Sequence, residues 1–284
     1  MSIQLIPYKP AGTIGSGPYV LREYKPDTGV DVSALSITYT GAYTDYGMVT
    51  MSDGARYRLL AFTASGTLSI EQPVNCEVCV VGGGANGAKA TSSGGGDGGA
   101  GAYLKNQSVY AYNGGSVVVG ARQGVSSIAD VSVNAVSGKS GGTGAGGKTG
   151  GIGDGISKYP FGDTGYSLWA GKPHCAGCGH GADDSGSNPS QGHKGGDGGT
   201  NGSNGYQWGN HLAANPRGGV GGSYGGGTGG DYTTGGNGRN ATYYGSGAGC
   251  GCFYEGYHDD FTFYNGGSGY QGIVYMRIPE EQAA

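Results

Sequence analysis

Three groups of residues in this chain have types and spacings that could do chemistry. A glycine loop, Gly82-Gly83-Gly84-Ala85-Asn86-Gly87, follows the strand-like run Cys76-Glu77-Val78-Cys79-Val80-Val81. Its G-x-G-x-x-G spacing is that of loops whose backbone N–H groups receive a pyrophosphate at a helix N-terminus. Six cysteines form three close pairs, Cys76/Cys79, Cys175/Cys178 and Cys250/Cys252. His174 and His180 flank the middle pair, and a C-x2-C turn with two histidines suits a tetrahedral zinc. Three aromatic stretches, 157–174, 204–217 and 252–265, hold Tyr166, Trp169, Tyr206, Trp208, Tyr254 and Tyr257. Such rings give large contact area at low side-chain entropy cost and dominate binding hot spots.

The elements that must position these groups decide among the readings. A phosphate loop has to open a helix, but Thr91-Ser92-Ser93 and then Gly94-Gly95-Gly96-Asp97-Gly98-Gly99 stand where its next turns belong. Each interior glycine costs about 0.8–1 kcal/mol relative to alanine, so a helix is not sustained there. The acidic residue that would hold a ribose is also missing, because no Asp or Glu occurs from Gly98 to Ala129. Ala90 after Lys89 excludes a Walker-type loop. Nucleotide binding is therefore not expected.

For the cysteines, "CEVC" reads as a strand, which sends Cys76 and Cys79 to opposite faces. Zinc, disulfides and reduced thiols remain open for the three pairs. All five histidines lie between 174 and 258 and read as solvated loop residues. No Ser/His/Asp spacing marks a triad. The expectation is a protein that is not an enzyme and has no cofactor.

Charged residues make up 13% of the chain and the net charge is −4 with no basic block, so nucleic acid is not an expected partner. No apolar run approaches the ~20 residues that span a bilayer, so membrane insertion is not expected. The start, "MSIQLIPYKPAG", lacks the pattern of a signal peptide, which leads to an expectation of synthesis in the cytoplasm. Small net charge and 22 tyrosines argue against a disordered linker.

Residues 1–81 hold eight glycines and the remainder of the chain holds sixty of the 68. The first part reads as β-structure. "ARYRLLAFT" and "GTLSIEQPV" suggest two strands around a hairpin-like turn at Ala64-Ser65-Gly66. "CEVCVV" enters the glycine region and "YQGIVYMRI" leaves it, and these two strands are expected to pair and close it. "AYLKNQSVYAY", "GSVVVGA" and "SSIADVSVNAV" read as further short strands, and no convincing helix is found.

Glycine stands at Gly138, Gly141, Gly144, Gly147, Gly150 and Gly153, an unbroken period of three, with shorter runs elsewhere. That period fits neither helix nor strand. It fits polyproline II geometry, at three residues per turn and ~3.1 Å rise. Such a segment has no internal hydrogen bonds, so its polar groups need partners on neighbouring segments. A bare glycine edge lets those neighbours approach. Collagen is excluded, because the chain has 10 prolines and its triplets break. The fold expected is non-helical: a small β part and a glycine-rich body of packed polyproline II helices closed by the entering and leaving strands. The expected division is 1–54 as a β-rich attachment or assembly module, 55–279 as the glycine-rich domain with aromatic loops, and 280–284 as a tail.

"FTASGTLSI", the strand ending in "VVGGGANG", the long glycine runs with aromatic interruptions, and the closing "GGSGYQGIVYMRIP" resemble glycine-rich domains of bacteriophage tail-fibre proteins. The body also resembles the polyglycine-sandwich adhesins at the tips of such fibres, over roughly residues 55 to 279. The resemblance implies a rigid block in the virion whose loops touch a host cell-surface receptor, an outer-membrane protein or a glycan, while another part docks on the fibre shaft. The first 50 or so residues depart from that pattern. An alternative is a scaffold or extracellular filament in which identical subunits assemble through the N-terminal β part. A third is an ice-binding protein, against which the bulky aromatic loops argue.

Overall fold

The computed structural model describes residues 30–90, 101–102, 104–133, 159–172, 174–175, 183–184, 225–229, 236–251, 253–255 and 261–282. Among them there is no α-helix, only a single 3-10 turn at Pro160–Gly162. The main sheet is largely antiparallel. Its strands are β1 (Ile37–Tyr39), β2 (Tyr43–Thr50), β3 (Arg56–Phe62), β4 (Gly66–Val81), β5 (Leu104–Val118), β6 (Ser126–Ile128), β7 (Val131–Val133) and, at the far end of the chain, β11 (Ile273–Pro279). They run in the order β2-β3-β11-β4-β5-β6-β7, with β1 paired to the first part of β4. A smaller sheet joins β8 (Asp183–Asp184), β9 (Phe253–Glu255) and β10 (Phe261–Phe263).

The strand entering the glycine region does pair with the one leaving it. β4 and β11 are antiparallel, with Val78 opposite Met276 and Val80 opposite Val274. The hairpin expected around Ala64-Ser65-Gly66 is not formed, because β11 lies between β3 and β4 and bonds to both. The reason is burial on two faces. Val274, Met276 and Ile278 point into one apolar cluster with Leu60, Phe62, Val78 and Val80. Ile273 and Tyr275 point into another with Leu59, Ala61, Cys79 and Val81. A strand that is apolar on both sides belongs in the centre of a sheet. The boundary expected after residue 54 also falls inside the sheet, since β2 pairs with β3 across it.

β4 keeps period-two burial through Leu68 and Ile70 and again through Val74, Cys76, Val78 and Val80. Its register with β5 breaks between Ser69 and Val74, around Pro73, which cannot donate to the ladder. A second break sets two β4 steps, Val74 to Cys76, against three on β5, Tyr112 to Val109. This is a bulge, and the extra residue, Ala111, has φ 49°. β6 and β7 close through Ala129 and Asp130, whose φ values of 48° and 62° are of the sign a two-residue hairpin turn demands.

Candidate functional site

The glycine loop at 82–87 is filled by main chain. The Gly83, Gly84 and Gly87 N–H groups donate to the carbonyls of Gly124, Tyr270 and Gly267 at 3.0, 2.8 and 3.1 Å. A Cβ added at Gly83, Gly84 or Gly87 would overlap the carbonyl oxygen of Ala121, Ser246 or Gly249 respectively. The donors that a pyrophosphate would need are spent, and the space it would need is occupied.

The same bonding extends through five segments, and it advances in steps of three residues. Gly84, Gly87 and Ala90 donate to Tyr270, Gly267 and Tyr264. Ala248 and Gly251 donate to Ala85 and Ala88, while Gly267 and Tyr270 donate to Gly249 and Ser246. Gly238 and Ala241 donate to Asn265 and Ser268, and Arg239 and Thr242 to Thr228 and Gly225. Segment 246–251 is bonded to all four of the others, through Ala85 and Ala88, Gly267 and Tyr270, Arg239, and Gly227. A strand in a sheet has two neighbours, so this arrangement is not β pairing. The glycine positions match it: Cβ atoms at Gly266, Gly269 and Gly272 would strike the carbonyls of Gly87, Gly84 and Val81. The run Gly138, Gly141, Gly144, Gly147, Gly150 and Gly153 lies outside the described residues.

The segment 159–175 covers the second face of the sheet. Asp163 organises it, accepting from Ser52 N and Oγ at 3.0 and 2.5 Å and from the N–H groups of Gly165 and Tyr166 at 2.9 and 3.1 Å. Burial works to raise the pKa of this carboxyl, but those hydrogen bonds outweigh it and hold the value low. Arg277 ties the segment down from the sheet. Its guanidinium lies 4.3 Å from the Tyr57 ring centroid and 4.5 Å from that of Phe161, and pairs with Glu77 at 2.9 Å.

This geometry corrects one expected contact residue. Trp169 has no exposed surface. Its Nε1–H donates to the Asp163 carbonyl at 2.6 Å, and its ring meets Tyr275 edge-on at 5.4 Å. It packs at the centre of the cover over this apolar sheet face, together with Phe161, Leu168 and Tyr244. Tyr166 is half-buried against Trp169, at 4.9 Å. Tyr254 is placed only as a position on β9, and Tyr206, Trp208 and Tyr257 lie outside the described residues.

His174 is likewise not a solvated loop histidine but fully buried. Its ring sits among Tyr243, Tyr244 and Tyr275, with Nε2 3.1 Å from the Tyr275 hydroxyl and Nδ1 unpartnered. Burial drives its pKa down to about 3, so the imidazole is neutral at physiological pH. Neither this burial nor the three tyrosines around it had a local signal in the sequence.

Cys76 and Cys79 do point into opposite clusters, as a strand requires. Cys76, Cys79 and Cys175 are buried thiols, and Cys250 is buried as well. Burial, then the Glu77 charge, pushes Cys76 up to about 12, and burial raises Cys79 and Cys175 strongly. Thiols held protonated in this way are poor nucleophiles. Among the described residues no three His, Cys, Asp or Glu side chains come together as a metal site. Cys178 and Cys252 lie outside the described residues. No protein-family model matches the chain, and no curated protein sequence matches it.

Proposed function

We propose that the five bonded segments are polyproline II-type glycine helices, and that the protein is a non-enzymatic structural adhesin of a bacteriophage tail-fibre tip. On this reading a stiff glycine block presents aromatic loops to a host cell-surface receptor, an outer-membrane protein or a glycan. The protein is made in the host cytoplasm and carried in the virion, docked on a fibre shaft. The observation that carries the reading is the three-residue step of the mutual backbone bonds, seen wherever two of these segments share more than one bond. Three is the polyproline II repeat. Loops fixed on such a block lose little entropy on contact, which is the advantage of a rigid receptor-binding tip.

The test is adsorption of purified protein to a panel of bacterial strains. The expected result is saturable binding to some strains that is weakened by Trp208→Ala and Tyr206→Ala without a change in thermal stability. Binding to no strain, together with growth of fibres visible by electron microscopy, would overturn it in favour of a filament-forming scaffold.

A further inference from the structure

The most exposed aromatic ring of the described residues is not on a glycine loop but on the sheet. Tyr110 is 78% exposed. It sits at the β5 bulge, where the extra residue breaks the inward–outward alternation. Val109 and Tyr112 face inward, three positions apart, and Tyr110 and Ala111 both face out. Beside it runs a groove of about 700 Å³ between β5 and the β6–β7 hairpin. Its polar wall includes Asn113, Ser127, Asp130 and Ser132.

Tyr112 forms the back of this groove. Its ring belongs to the main apolar cluster and it is only 9% exposed. Its hydroxyl is buried and has no hydrogen-bond partner. A buried hydroxyl left that way is destabilising. The hydroxyl lies 3.8 Å from where a Cβ on Gly115, another groove residue, would stand, and nothing else comes within 4 Å of that point. Burial, followed by the nearby acidic groups Cys76 and Asp130, raises the phenol to about 12, which keeps it a neutral donor. Ala111 at the bulge and Ala129 and Asp130 at the hairpin turn, with φ of 49°, 48° and 62°, also line the groove.

We propose that this groove is a saccharide-binding site for a neutral sugar, with the Tyr110 ring as its stacking face and the Tyr112 hydroxyl and Asp130 carboxylate as hydrogen-bonding partners. A pyranose has an apolar face of C–H groups and a rim of hydroxyls that donate and accept. It therefore matches an exposed ring, an unused phenol and a carboxylate acceptor. Asp130 disfavours acidic sugars and phosphorylated cores. The proposal rests on the adhesin reading only for where the sugar resides, on a cell surface.

The test uses free glucose, galactose, mannose and N-acetylglucosamine and their oligomers, with N-acetylneuraminic acid as the acidic comparison. Binding is read by saturation-transfer NMR and by titration calorimetry. At least one neutral sugar is expected to bind and the acidic one not. Tyr110→Ala is expected to lower affinity roughly tenfold or more, the scale of one aromatic hot-spot contact. Tyr112→Phe should weaken binding while leaving the melting temperature unchanged or higher, because it removes an unpaired buried hydroxyl. Absence of binding by every neutral sugar, or binding indifferent to both variants, would overturn the proposal. Sugar binding without adsorption to any strain would sink the adhesin reading and leave the site standing. Adsorption that survives Tyr110→Ala with no sugar bound would do the reverse.

Discussion

The sheet and the glycine segments are held together by opposite means. In the sheet, side chains do the holding: Leu60, Phe62, Val78, Met276 and Ile278 are fully buried, and each such side chain contributes about 1.5–3 kcal/mol. In the glycine segments the side chain is absent where neighbours meet, and carbonyl oxygens fill its place. There each hydrogen bond nets only about 0.5–1.5 kcal/mol, against a glycine entropy cost of about 0.5–1 kcal/mol. A body built that way depends on its frame. Segments 82–90 and 264–272 continue directly from β4 and into β11, so the sheet clamps two of the five segments in register. The comparison teaches that loss of volume should damage one region and gain of volume the other.

The largest effect tests the sheet side. Trp169→Ala is expected to cost about 3–5 kcal/mol in chemical denaturation, as removal of a buried ring does. An unchanged midpoint would mean that the ring is a surface contact after all. On the glycine side, Gly249→Ala should cost about 3 kcal/mol, at the upper end of overpacking, because its Cβ would strike the Thr228 carbonyl. Gly54→Ala, at φ +86° with nothing within 4 Å, should cost only about 1–2 kcal/mol from backbone strain. Equal costs at these two positions would erase the distinction drawn here.

A smaller effect reports on the junction of the two regions, where His174 is buried. Its folded pKa, about 3, lies below its ordinary value of 6.5, so below that value the unfolded chain binds a proton that the folded chain does not. Its contribution to stability is complete above pH 6.5 and is lost as pH falls toward 3, at up to about 1.4 kcal/mol per pH unit. Denaturation midpoints measured at pH values between about 7.5 and 5 should show this slope in the native chain and a flatter one in His174→Phe. The smallest effect is expected at the exposed Arg56–Glu280 pair, 2.6 Å apart. Glu280→Gln should change stability by less than about 1 kcal/mol.

Much of this was legible in the residues, and the limits follow from range. Apolar runs of strand-forming residues in "CEVCVV" and "IVYMRI" announced both strands, and the odd spacing of Cys76 and Cys79 along a strand announced their opposed faces. Their pairing followed from one strand entering and one leaving the same glycine-rich stretch. The insertion of β11 between β3 and β4 was not legible, since it depends on which strands can bury two faces at once. The Tyr110–Tyr112 groove was also hidden. "SVYAYN" reads as an ordinary alternating strand, and only the partner's register makes one residue surplus.

The residues alone determined the absence of α-helix among the described residues and the positions of the strongest strands, because these depend on local sterics and on side-chain alternation. Only the tertiary structure decided that Trp169 and His174 are core residues, that Tyr110 faces water and that five distant segments share their hydrogen bonds. Each of those outcomes is set by what lies opposite, and the opposing residue is often a hundred or more positions away along the chain.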